Sequence, residues 1–219
     1  AGKRVAISGS GNVALHAAEK CLELGARVIS LSDTSGSVIV EDGFSPEMWD
    51  AVVELKNVRR GRLGELRDSH PGLVHRESPA VWTVPCDVAL PCAAQNELRR
   101  EDAEALLGNG CLCVCEGSTM PSAPDAVELF LKHGVLYGPG KAAHAGGAAL
   151  AGLELTQNSS HQSWSREQVD GRLRDLMNRT HDACLKAASD YGQPGNYVAG
   201  ADIAAFVRVA DAMIDQGLV

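Results

Sequence analysis

With 219 residues the chain has room for one large domain or two small ones, and it is long enough to bury a substantial core. Its 28 acidic residues outnumber 20 basic ones, and the formal charge of −8 argues against nucleic acid or an anionic membrane surface as the main partner. The seven cysteines are an odd number without disulfide-framework spacing, so a reducing compartment is expected, either the cytoplasm or an organelle matrix such as the mitochondrial one. No secretory signal is expected, because Ala1-Gly2-Lys3 leads directly into an apolar strand. No membrane insertion is expected either, since the longest weakly polar run, Ala142 to Leu153, is short, built of Ala and Gly, and broken by His144.

Arg4-Val5-Ala6-Ile7-Ser8 reads as a strand that runs into Gly9-Ser10-Gly11-Asn12-Val13-Ala14 and then a helix. That order is the G-x-G-x-x-A turn of a dinucleotide-binding βαβ unit. Gly9 makes the tight turn, Gly11 lets a pyrophosphate approach the backbone, and Ala14 lets the helix pack closely on the strand. The helix N-terminus then offers free N–H groups and a positive dipole end to phosphate. A tight strand-to-helix turn that binds nothing shares the bare motif. The context goes further: Arg27-Val28-Ile29-Ser30-Leu31 reads as the second strand, and Asp33 follows at about the spacing of a ribose contact.

The apolar stripe Val13, Ala17, Ala18, Cys21 and Leu24 predicts the first helix, stopped by Gly25. Thr34-Ser35-Gly36-Ser37 reads as a turn. Ser45-Pro46-Glu47 reads as a cap with proline at the first helical position, opening a helix to about Val58 that leads into the basic segment Lys56 to Arg62. Cys86 to Pro91 is a short buried strand, Glu101 to Leu107 a helix stopped by Gly108, and Cys111 to Cys115 another strand. On that strand the thiols of Cys111, Cys113 and Cys115 would share a face. Zinc sites usually space thiols across a turn, so they read as small core residues and no metal is expected. Ala123 to Lys132 is a helix and Gly134 to Tyr137 a last strand, after which helices cover about 144–160, 165–189 and 201–216. The pattern predicts an α/β, Rossmann-like doubly wound, mostly parallel sheet followed by a helical C-terminal segment. The whole of 1–219 reads as a single dinucleotide-binding domain, with its sheet in about 1–143 and its helical tail in about 144–219.

The blocks Gly9 to Ala14, Ser32 to Gly36, Asp87 to Glu97, Glu116 to Pro121, Gly138 to Gly147 and Val207 to Met213 resemble, in order, the cofactor domain of hexameric, NADP-type glutamate dehydrogenases. The resemblance covers essentially the whole chain. It implies a domain that binds a nicotinamide cofactor and closes over a second domain during reversible oxidative deamination of glutamate to 2-oxoglutarate and ammonia. Carried over by position, Gly9, Ser10, Gly11, Asn12 and Val13 would hold the pyrophosphate, and Asp33 with Thr34 would sit at the adenosine ribose. Ala93, Ala94, Thr119 and His144 would lie around the nicotinamide ribose and ring. NADP is the expected cofactor, with NAD as the alternative: Asp33 alone favours a free 2′-hydroxyl, but the Ser-Asp-Thr turn resembles the NADP-type enzymes. Lys56, Arg59 and Arg62 fall where those enzymes place cations near the 2′-phosphate, a solvated basic loop being the other reading.

Two departures from the family pattern bear on activity. The family's amino-terminal catalytic domain, with its general acid/base and carboxylate-binding lysines, is not in this chain, so the chain alone is not expected to turn over. The family usually has Thr, Asn, Asn and Ser where this chain has Ala94, Thr119, His144 and Ala151. The last would remove a hydroxyl from the substrate carboxylate, a loss of about 1.5–3 kcal/mol. No catalytic residue is assigned; no Asp or Cys motif flanks His144 in the sequence. Expected partners are an N-terminal catalytic domain or other protein subunits, in a homo-oligomer or larger complex. The alternative is a degenerate, non-catalytic subunit recruited as a structural part of a larger assembly; the intact Gly9, Gly11 and Asp33 favour retained nucleotide binding under both readings, with loss of binding as the other outcome.

Overall fold

The computed structural model describes residues 1–78 and 80–217. The chain divides into two compact units, Ala1–Tyr137 and Gly138–Val219. The first carries the sheet. β1 (Arg4–Ile7) is a fully buried apolar run after its first residue, and α1 (Asn12–Glu23) follows it with Ala14, Leu15 and Ala18 inward. Gly25, at φ 75°, ends that helix and lets the chain turn into β2 (Arg27–Asp33).

The expected four-residue turn after Asp33 is shorter than its sequence suggests. Gly36 already opens β3 (Gly36–Ile39), which pairs antiparallel with β2 and then with β4 (Val74–Arg76). Gly36 is required there: it sits at φ 137°, and a Cβ would lie 2.0 Å from the Arg76 carbonyl oxygen. Neither β3 nor β4 is anticipated from the sequence pattern.

α2 (Pro46–Glu54) is capped by the Ser45 hydroxyl, which accepts from the Met48 amide at 3.2 Å. The helix expected to reach Val58 changes character at Leu55. Leu55–Arg59 is a wider π-helical turn, closed by Arg60 in the left-handed region at φ 54°. A 3₁₀ turn, Leu63–Asp68, leads on to β4. After β4 come β5 (Val88–Leu90), α3 (Arg100–Gly108), β6 (Cys113–Cys115), α4 (Pro124–Lys132) and β7 (Leu136–Gly138). Cys111 therefore precedes its strand rather than lying on it, and its thiol donates to the Cys113 carbonyl at 3.3 Å.

Among the described residues, seven strands form one sheet in the order β4-β3-β2-β1-β5-β6-β7, with β1/β2, β1/β5 and β5/β6 parallel. The chain leaves β1 toward β2, then returns to the other flank of β1 with β5. That reversal is the topological switch point of a doubly wound sheet, and the crevice beyond the carboxyl ends of β1 and β5 is where such folds bind ligands.

In the second unit, α5 (Gly140–Ala143) and α6 (Ala145–Ser159) lead to α7 (Arg166–Asp190), which opens on a reciprocal Ser165/Gln168 cap. α8 (Tyr197–Gln216) is capped by the Asn196 side chain. α7 and α8 come so close that a Cβ on Gly200 would lie 2.1 Å from the Cys184 carbonyl oxygen. No helix among the described residues is long and apolar enough to cross a membrane.

Candidate functional site

Beyond the carboxyl end of β1 the chain turns at Ser8-Gly9-Ser10-Gly11. The turn is held by serines from the neighbouring strand. The Ser30 hydroxyl accepts from the Ile7 amide at 3.1 Å, and the Ser32 hydroxyl accepts from the Gly9 amide at 2.8 Å. These side chains supply acceptors where the β1/β2 register shifts between Val5 and Ala6. Gly9 takes φ 81°, and a Cβ there would lie 2.9 Å from the Cys92 carbonyl oxygen. Gly11 opens α1, whose first turn has neither a side-chain cap nor an acidic residue. A Cβ on Gly11 would meet nothing within 4 Å, so the space above the helix end is open.

A cleft of about 820 Å³ lies over this turn. Gly9, Ser10 and Gly11 form one side, Ser32, Asp33, Thr34 and Arg62 a second, and Ala93 and Ala94 with Gln95, Asn96 and Glu97 a third. A neighbouring cavity of about 450 Å³ is lined by Ser10, Gly11, Asn12 and Leu15 with Lys56, Asn57 and Arg60. An uncapped helix end, two glycines and cations on the rim fit a phosphate-bearing ligand.

Asp33 is almost fully engaged by its own chain. Oδ1 accepts from the Ser35 amide at 2.8 Å and the Ser35 hydroxyl at 2.6 Å. Oδ2 accepts from Lys56 Nζ at 3.1 Å and the Leu63 amide at 2.9 Å. The side chains of Lys56 and Asp33 are only 15% and 7% exposed. Burial alone would push the Asp33 carboxyl upward, but the bonds from Ser35, Leu63 and Lys56 outweigh it and hold it below the usual carboxylate value. Lys56 also donates to the Gly61 carbonyl at 3.0 Å, and the Arg62 guanidinium bonds the Thr34 hydroxyl.

The other expected residues are placed as follows. Val13 is exposed on α1, and Thr119 is exposed on the loop after β6; neither lines the two cavities. Arg59 lines neither cavity, because its guanidinium pairs with Glu65 at 2.9 Å. Arg60, which the sequence does not single out, faces the smaller cavity instead. His144, between α5 and α6, and Ala151, on α6, belong to the second unit. Among the described residues, no group of three or more His, Cys, Asp or Glu is placed to hold a metal ion.

The model of the glutamate/leucine/phenylalanine/valine dehydrogenase family matches residues 1–217. The chain belongs to that family. Among curated members, the NADP-specific glutamate dehydrogenase of Salmonella typhi is 50% identical over 218 residues, covering all of this chain and 48% of its own length. That of Escherichia coli K12 is 49% identical over 218 residues, again covering all of this chain and 48% of its own length. The crystal structure of Plasmodium falciparum glutamate dehydrogenase superposes with a TM-score of 0.95 at 39% identity, over 99% of this chain and 47% of that one. A hetero-hexameric glutamate dehydrogenase from Thermus thermophilus shares the fold at a TM-score of 0.80 and 23% identity, over 100% of this chain and 48% of that one. This family member thus spans about half the length of the curated relatives it matches.

Proposed function

We propose that this chain is the NADP(H)-binding part of a glutamate dehydrogenase, the whole protein carrying out oxidative deamination of glutamate to 2-oxoglutarate and ammonia. Family membership and relatives named as NADP-specific glutamate dehydrogenases support the enzyme reading over a recruited scaffold. The preference for NADP rests on one observation, the saturation of Asp33. A carboxylate has about four lone-pair sites, and Asp33 already accepts four hydrogen bonds from Ser35, Lys56 and Leu63. It has no acceptor left for a ribose 2′-hydroxyl. The same contacts bring the Lys56 ammonium to this corner, and Arg62 with Thr34 lines the cleft beside it, which suits a 2′-phosphate.

In this reading Gly9, Ser10, Gly11, Asn12 and Val13, at the start of α1, receive the pyrophosphate. Ala93 and Ala94 border the nicotinamide side. Thr119 and His144 at the nicotinamide, and Ala151 toward the substrate carboxylate, enter through the family resemblance. The cofactor supplies a hydride acceptor when bound, and the residues of this chain bind and orient it. The remainder of the protein, in the same or another chain of an oligomer, holds glutamate and moves its protons. The seven free thiols suit a reducing compartment, and the bacterial relatives favour the cytoplasm over a mitochondrial matrix.

Arginine variants test the cofactor choice. Arg62 is exposed, so Arg62→Ala should fold normally and weaken NADPH at least about tenfold while leaving NADH within about twofold. Arg59→Ala should leave both within about twofold, because Arg59 pairs with Glu65 outside the cavities. Equal losses of NADPH and NADH in Arg62→Ala would remove Arg62 as a reader of the 2′-phosphate.

A further inference from the structure

The segment Cys92–Glu97 carries Ala93 and Ala94 along the cleft without belonging to a strand or helix. One carboxylate ties it to the phosphate turn. Glu97 Oε1 accepts from the Ala93 amide at 2.9 Å and from the Ser8 hydroxyl at 2.8 Å. That hydroxyl in turn accepts from the Cys92 amide at 2.9 Å. Ser8 is 1% exposed and immediately precedes Gly9, so the three bonds join both sides of the cleft at its floor.

The opposite flank of the same segment is tied to the loop that bears Thr119. The Asn96 amide donates to the Met120 carbonyl and the Leu98 amide to the Pro121 carbonyl, both at 2.9 Å. Asn96 adopts φ 53° between these anchors, a left-handed conformation that the surrounding bonds must maintain. The Glu97 carboxyl is held above its ordinary value, chiefly by burial, with the Ala93, Ser8 and Ala94 donors offsetting part of that shift.

We infer that Glu97 is a positioning residue that fixes the nicotinamide-side segment against the phosphate turn through Ser8, and so sets the separation at which the two ends of a dinucleotide are held. The inference rests on the dinucleotide reading given above. Its consequence is selective. Loss of Glu97 loosens the Ala93-Ala94 side of the cleft and leaves the Asp33–Lys56–Arg62 corner intact, because no bond of that corner runs through Glu97.

The test uses two probes, NADPH and adenosine 2′,5′-bisphosphate, which carries the adenosine end without the nicotinamide. In Glu97→Ala, NADPH affinity should fall at least about tenfold while the bisphosphate stays within about twofold, and bound dihydronicotinamide should lose its fluorescence enhancement. Glu97→Gln keeps an acceptor oxygen for Ala93 and Ser8 and should recover NADPH affinity to within about threefold of wild type. Ser8→Ala, a smaller change, should shift the probes in the same direction as Glu97→Ala. Equal losses of both probes, or no loss of NADPH in either alanine variant, would overturn the proposal. A wild-type chain that binds neither probe would instead overturn the dinucleotide reading, and the positioning role with it.

Discussion

Gly9→Ala is expected to lose NADPH binding at millimolar concentration and to lower unfolding free energy by about 3 kcal/mol. Two effects add at this residue. The φ of 81° is accessible to glycine and strained for alanine, which costs about 1–3 kcal/mol. A Cβ would also stand 2.9 Å from the Cys92 carbonyl oxygen and 3.1 Å from Ala93 Cα. Both neighbours are backbone, so relief requires the turn and the loop after β5 to move apart, which reshapes the floor of the cleft. Gly11→Ala provides the contrast. Its φ of −83° suits any residue and its Cβ meets nothing within 4 Å, so stability should change by less than about 0.5 kcal/mol. The new methyl would occupy the space where the proposed function puts the pyrophosphate, and NADPH affinity should fall. Urea unfolding and titration of both variants check the pair; wild-type stability and affinity in Gly9→Ala would refute the geometric argument.

Asp33→Ala carries the other large effect, a loss of about 3–5 kcal/mol, because it strands a largely buried ammonium and two amides that the carboxylate now satisfies. The same contacts predict an acid limb. Since the folded Asp33 titrates below its ordinary value of 3.8, its contribution is complete above that value and is lost as pH falls through the lower, folded value. The wild-type chain should therefore lose stability below about pH 4 more steeply than Asp33→Ala, whose curve lacks this component. Unfolding measured in urea between pH 3 and 7 checks both parts, and parallel curves for the two proteins would contradict the assignment.

The parts of the fold legible in the sequence are those whose signals are local. β1, α1 and β2 are announced by a continuous apolar run, a helical stripe ending at Gly25 and a second apolar run. Ser45 and Pro46 likewise announce α2. The β3 and β4 pair is hidden because β4 is three residues long, mostly exposed, and defined by pairing with a strand far back in the chain. The Gly9–Gly11 turn is legible as a motif, whereas its clamps are not: Ser8 meets Glu97 89 positions away, and Ser32 meets Gly9 across 23.

The basic segment shows how local geometry redirects side chains. The family resemblance points to Arg59 beside Lys56 and Arg62, but the π-helical turn widens the spiral and Arg60 closes it in the left-handed region. Arg59 then meets Glu65, and Arg60 turns to the cavity beside Lys56. Asp33 is similar in kind. As a lone acid at the end of β2 it signals a ribose hydroxyl, and only the folded loop reveals that its lone pairs are already taken.

A reader of the 2′-phosphate must prefer one dinucleotide to the other. Calorimetric titration of the wild-type chain with NADPH and with NADH should give saturable heat with NADPH and a dissociation constant at least about tenfold below that for NADH, the difference of one charge-assisted contact. Tighter binding of NADH, or no heat with either up to millimolar concentration, would contradict it.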